Sequence, residues 1–124
     1  MAKKLQFILV VEDDLALSDA FNMILTHSGF KVHNSHNGKE ALDYLSKHTP
    51  DIILLDILMP IMDGREFLKH FDNKKHIPIV VLSNLDSKTD IEQLINLGAT
   101  TYMLKSSVSP DVLVKLVKDT MATT

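Results

Sequence analysis

The sequence contains no cysteine. That excludes disulfides, thiolate metal sites and a cysteine nucleophile. Arginine is scarce as well. The net charge is −3 and Arg65 is the only arginine, so the chain has no basic footprint for nucleic acid. No segment approaches the roughly 20 apolar residues that span a bilayer as a helix. Lys3-Lys4 ahead of the Phe7 to Val11 run faintly mimics a signal peptide. That run is too short and meets Glu12-Asp13-Asp14 at once, which argues against a leader. Composition shifts, repeats and linkers are missing too. We expect a cytoplasmic protein with no direct contact to nucleic acid or membrane.

What is present is ordinary for a globular domain: 45% hydrophobic and 23% charged residues in a chain of 124. That length fits one domain, residues 1–124, with its own core. It could equally be a module cut from the front of a larger protein. The histidines, at 27, 33, 36, 48, 70 and 76, show no metal-ligand spacing and read as surface residues.

Five short apolar runs alternate with five helical patterns. The strand candidates are Gln6 to Val11, Lys31 to Ser35, Ile52 to Asp56, Pro78 to Ser83 and Thr101 to Leu104. The first helix carries Leu17, Ala20, Phe21, Ile24 and Leu25 as one stripe and stops at Gly29. The second begins near Gly38 behind Asn37 as cap, with Ala41, Leu42 and Leu45 inward. The third starts near Asp63-Gly64 and buries Phe67, Leu68 and Phe71. In the fourth, Ser87 and Asp90 are spaced as a capping box, Ile91, Leu94 and Ile95 point inward, and Gly98 ends it. The fifth opens on Ser109-Pro110 and buries Leu113, Leu116, Val117 and Met121. Met121-Ala122-Thr123-Thr124 reads as a fraying end. Strict alternation predicts an α/β fold: a doubly wound, five-stranded parallel sheet with helices on both faces. The flavodoxin-like (βα)5 order, 2-1-3-4-5, makes strands one and three neighbours.

Polar residues collect at the carboxyl ends of these strands, the edge where open α/β sheets bind ligands. Glu12 and Asp13 follow strand one, Asp56 ends strand three, Ser83 ends strand four and Lys105 follows strand five. Asp14 reads as the cap of the first helix, and Asp63-Gly64 as turn and cap. A hard cation such as Mg²⁺ takes oxygen ligands and needs few carboxylates. Asp13 and Asp56 suit it, with Glu12 acting directly or through water. Asp56 keeps an oxygen for attack on phosphorus, giving an aspartyl phosphate. Lys105 brings a mobile positive charge and Ser83 a hydroxyl donor to the phosphoryl group.

These residues, with Val10-Val11 before the acids, Met59-Pro60, Asp63-Gly64 and Tyr102, resemble the receiver domain of bacterial two-component response regulators. The resemblance runs in order along the whole chain. It implies Mg²⁺-dependent transfer of a phosphoryl group to Asp56 from a histidine kinase or histidine phosphotransfer protein. It implies Asp13 as a direct metal ligand, Glu12 as the second acid and the Leu58 main-chain carbonyl as a further ligand. Ser83 and Tyr102 would form the switch pair that alters a face binding a downstream protein or effector domain. Two positions depart from the family pattern. Ser106 stands where proline usually follows the lysine, which makes a cis bond there costlier, by ~2.5–4 kcal/mol for a non-proline residue. Asn84 stands where a small residue usually follows the serine. The acidic pair before the switch tyrosine and the last-helix arginines of the winged-helix regulators are also missing.

Three other readings compete. A phosphate-independent interaction module of the same fold need not keep all of Glu12, Asp13, Asp56, Ser83 and Lys105. A phosphatase with an aspartate nucleophile usually carries a second aspartate two residues on, where this chain has Leu58. Flavodoxin-type cofactor binding needs a hydroxyl- and glycine-rich loop after strand one, where Glu12-Asp13-Asp14 would repel phosphate. Catalysis here is thus expected to be self-phosphorylation and dephosphorylation, not turnover of small substrates.

Overall fold

The computed structural model describes residues 6–122. Lys3 and Lys4, and Thr123 and Thr124 of the expected fraying end, lie outside them. The elements run β1 (Phe7–Val11), α1 (Leu15–His27), β2 (Lys31–Ser35), α2 (Gly38–Leu45), β3 (Ile52–Leu55), α3 (Gly64–His70), β4 (Ile79–Ser83), α4 (Lys88–Asn96), β5 (Thr101–Leu104) and α5 (Pro110–Ala122). A 3-10 turn, Lys105–Ser107, links β5 to α5. The sheet is parallel throughout, in the expected order β2-β1-β3-β4-β5.

Strand alternation sorts the core into two layers. Ile8, Val10, Ile52, Leu54, Val80 and Leu82 pack with Phe21 and Leu25 of α1 and Leu113 and Val117 of α5. Leu9, Val11, Ile53, Leu55, Ile79 and Val81 pack with Ala41, Phe67, Leu68 and Leu94 of α2 to α4. Each such side chain contributes roughly 1.5–3 kcal/mol by leaving water. The three middle strands are therefore fixed from both sides, and their carboxyl ends form one firm rim.

Helix starts follow the capping residues read from sequence. Asp14, Asn37, Asp63 and Ser87 accept from Leu17, Glu40, Glu66 and Asp90 N–H groups. Ser109 accepts from Val112. Gly29 and Gly98 take the left-handed backbone beyond α1 and α4.

Several expectations need correction. Gln6 and Pro78 precede their strands, and Asp56 lies one residue beyond β3. Phe71 is the C-cap of α3 and is only partly buried. Ile95 is 42% exposed, because only Leu94 of α4 reaches the core fully and Ile91 sits between. Met121 and Ala122 continue α5, held by packing of Met121 on the α1–α5 layer. His33 and His36 are partly buried. His33 stacks on Tyr44 at 3.8 Å, and His48 stacks on the same tyrosine at 4.1 Å.

The β3–α3 loop holds a strained residue. Ile61 has φ 67° and is 81% exposed. The Met62 N–H bonds the Pro60 carbonyl at 2.7 Å across it, a γ-turn of the rare left-handed form. A β-branched side chain in this region costs roughly 1–2 kcal/mol. Ile61→Gly removes that cost but gives the unfolded chain more freedom to lose. The net expectation is a gain of about 0.5–1 kcal/mol, seen as a thermal midpoint raised by about 2–4 °C. A midpoint lowered by the full unfolded-state cost of glycine, about 0.4–1 kcal/mol, would show that Ile61 carries no strain.

Candidate functional site

The site grows from the β1–β3 pairing. Beyond the ladder, the Asp56 N–H donates to the Val11 carbonyl at 3.0 Å, and the Glu12 N–H donates to Ser35 at 3.0 Å. These bonds carry strand geometry one residue into each loop. Glu12, Asp13 and Asp56 thereby converge: one carboxylate oxygen from each lies within 4.8 Å of the others. Glu12 is 2% exposed and Asp56 5%, while Asp13 is partly open to solvent. Among the described residues this is the one group of histidine, cysteine, aspartate or glutamate side chains able to hold a metal ion. The donors are all carboxylate oxygens, which suits a hard cation such as Mg²⁺.

Lys105 reaches across from β5. Its ammonium lies 2.6 Å from Glu12 Oε1 and 3.1 Å from Asp56 Oδ2. The other Asp56 oxygen, Oδ1, accepts from the Ile57 N–H at 2.8 Å. Gly64 makes this close packing possible. A Cβ there would lie 2.5 Å from the Asp56 carbonyl oxygen and 2.8 Å from the Ile57 backbone. Asp63 caps α3 as the sequence predicts, and Gly64 adds a clearance that cap and turn alone do not imply. Lys105, expected to meet the phosphoryl group, here pairs with Glu12 and Asp56. The signal was available in retrospect: two acids and one lysine at the ends of three strands must neutralise one another once buried.

Ser83 and Tyr102 sit on neighbouring strands beside this centre. Ser83 is 1% exposed, and its hydroxyl accepts from the Leu85 N–H at 3.2 Å. The Tyr102 hydroxyl donates a long bond, 3.4 Å, to the Ser83 carbonyl. Burial raises the Tyr102 pKa above that of a free phenol. Leu58 is 62% exposed on the loop after Asp56, and Leu85 is half-buried beyond Ser83. Asn84 and Ser106 are exposed. Every peptide bond among the described residues is trans, the one between Lys105 and Ser106 included.

Burial pushes Glu12 up to about 7, against the hydrogen bond from Lys105 and the Asp14 N–H. Burial also works against the Lys105 ammonium, but its bonds to Glu12 and Asp56 outweigh this and raise its pKa. Glu12 therefore binds its proton more tightly folded than unfolded. Its contribution to stability is full below pH ~4.5, its unfolded value, and is lost as pH rises through about 7. Glu12→Gln mimics the protonated form. In EDTA it should raise the thermal midpoint at pH 8 and do so less at pH 5. An equal shift at both pH values would place the titration elsewhere.

Comparison with known proteins agrees with this geometry. A family model for the response regulator receiver domain matches residues 8–118. A signal receiver domain of a signal transduction histidine kinase from Syntrophus aciditrophicus is 30% identical, with TM-score 0.83, over 94% of this chain and 90% of that one. The BeF3-activated N-terminal receiver domain of Klebsiella pneumoniae RstA is 28% identical, with TM-score 0.85, over 94% and 98%. The chemotaxis response regulator CheY4 of Vibrio cholerae is 28% identical, with TM-score 0.87, over 94% and 99%. No helix among the described residues is long and apolar enough to cross a membrane. The strand order, the acidic rim with its lysine, and the match over nearly the whole chain converge on one assignment: the chain belongs to the response regulator receiver domains, modules of phosphorelay signalling.

Proposed function

We propose that Asp56 accepts a phosphoryl group from a histidine kinase or histidine phosphotransfer protein, in a single receiver module spanning residues 1–124. The observation that carries this is the buried Asp56 carboxylate with Glu12, Asp13 and the Lys105 ammonium around it. Oδ2 of Asp56 faces Lys105, while Oδ1 is oriented by the Ile57 N–H. An Asp56 oxygen attacks phosphorus, the phosphorus–nitrogen bond of the phosphohistidine breaks, and the imidazole leaves with its electron pair and takes a proton. Lys105 then turns from the acids to the phosphoryl oxygens, which carry more negative charge. Ser83 releases the Leu85 N–H and donates its hydroxyl to the same group, and Tyr102 settles inward behind it. Such transfer rests on positioning and charge neutralisation.

Asp13 and Asp56, with Glu12 directly or through water and the Leu58 main-chain carbonyl, would hold Mg²⁺, which neutralises charge on the transferring group. The output is a phosphorylation-dependent surface for a downstream protein or effector domain. The setting is cytoplasmic. Phosphate-independent binding by the same fold is the alternative. It leaves the converging side chains of Glu12, Asp13, Asp56 and Lys105 without a task.

Acetyl phosphate and Mg²⁺ should add one acid-stable, base-labile phosphoryl group, detected as a single mass increment. Asp56→Ala or EDTA should abolish it without unfolding the protein. Full labelling of the Asp56→Ala protein, or normal labelling in EDTA, would overturn the respective assignments.

Lifetime follows from the apolar neighbours. Leu58 and Leu85 stand two residues beyond Asp56 and Ser83. Neither can hydrogen-bond a water in line with phosphorus, so autodephosphorylation should be slow. Combining Leu58→Asn with Leu85→Glu should speed decay about five-fold or more, corresponding to ~1 kcal/mol of barrier. A decay rate indifferent to both changes would move control of water access to Asn84.

A further inference from the structure

Arg65 makes a forked contact between two helices. Its Nη2 donates to Asp90 Oδ1 at 2.9 Å and its Nε to Gln93 Oε1 at 2.9 Å. Asp90 and Gln93 lie one turn apart on the same face of α4. The Arg65 and Asp90 side chains are 23% and 33% exposed. A planar guanidinium reads position as well as charge, so both bonds fail together if α4 slides or tilts.

The two ends of this contact are tied to the phosphorylation site by different routes. Arg65 is the second residue of α3, next to Gly64. Gly64 bonds the Ile57 carbonyl at 2.8 Å and has no room for a Cβ against the Asp56 backbone. Arg65 is thus anchored to the chain segment that carries Asp56. Asp90 uses its other oxygen, Oδ2, to accept from the Ser87 hydroxyl at 2.7 Å, and Ser87 caps α4. Ser87 ends the short β4–α4 loop that begins after Ser83. The Ser83 hydroxyl is engaged with Leu85 inside that loop.

We propose that Arg65 is a positioning residue that latches α4 and the Ser83–Ser87 loop in the unphosphorylated arrangement. The inference rests on Asp56 being the phosphoacceptor and names the element that resists its signal. When Ser83 turns to a phosphoryl group, Leu85 loses its acceptor and the loop must rearrange. The α4 end of the loop is capped through Asp90, which Arg65 holds. The latch therefore sets the cost of switching. A ligand on Asp56 shifts the equilibrium only by what it gains over that cost.

The test uses beryllium fluoride with Mg²⁺, a mimic of the acyl phosphate, titrated into the whole chain and followed by amide NMR. Arg65→Gln should lower the thermal midpoint of the free protein and tighten beryllium fluoride binding about three- to ten-fold. Amides of Ser83 to Asn96 should exchange faster in the free variant. Arg65→Lys keeps the charge without the fork and should fall between, which also covers any folding defect of the glutamine variant. A residue serving stability alone would lower the midpoint and leave binding unchanged or weaker, and either result overturns the latch. Wild-type protein that fails to bind the mimic, or Asp56→Ala that binds it equally, would instead bring down the phosphoacceptor reading and this inference with it.

Discussion

One ammonium group between two buried carboxylates organises this molecule. Glu12 and Asp56 are nearly sealed from water, and a buried carboxylate without a partner is costly. Lys105 meets both, at 2.6 and 3.1 Å. The compensation is incomplete, because burial still pushes Glu12 up to about 7. The resting site is therefore short of positive charge. A divalent cation would relieve that shortage. The pairing needs the ends of three different strands to lie in register. The lysine comes from β5 and the acids from β1 and β3, and no local stretch of chain can assemble them.

The sheet supplies that register through burial and not through the site itself. Core side chains clamp β1, β3 and β4 from both faces. A slip of one residue would exchange the two apolar layers and is excluded where both faces are packed. The edge strands β2 and β5 are only partly buried. Lys105 and Tyr102 thus sit on or just after a strand with more freedom than the one before Asp56.

Much of this was legible in sequence because it is local. Short apolar runs, a capping residue before each helix and two glycines after helices are read within a few positions. Asp56, Glu12, Asp13, Ser83 and Lys105 were legible as strand-end residues once the alternation fixed a parallel sheet. Contacts that depend on how distant elements meet were not. Ile95 fits an inward helical spacing, yet only its neighbour Leu94 is turned fully into the core and Ile95 stays exposed. His33 looked like a surface residue until Tyr44 from α2 covered it. In sequence Arg65 stands out only as the single arginine, because nothing there tells that α3 and α4 bring it against Asp90 and Gln93.

The loops around the site are unequal, and that inequality is what a switch needs. The β3–α3 loop is over-determined. Gly64 bonds Ile57, Gly38 of α2 bonds the Met62 carbonyl at 2.8 Å, and a Cβ on Gly38 would press on Met62 at 2.8 Å. Enough contacts hold it to keep Ile61 in a strained backbone. The β4–α4 loop has one internal hydroxyl contact, from Leu85 to Ser83, and a cap at Ser87. Asn84, Asp86 and Ser87 are exposed, so apolar burial adds little. Low local stability is where conformational change is drawn from. A phosphoryl group on the rigid loop would act on the soft one across a single hydroxyl, Ser83. Rigidity on the Asp56 side would keep such chemistry in place, and softness on the Ser83 side would let a small displacement reach α4.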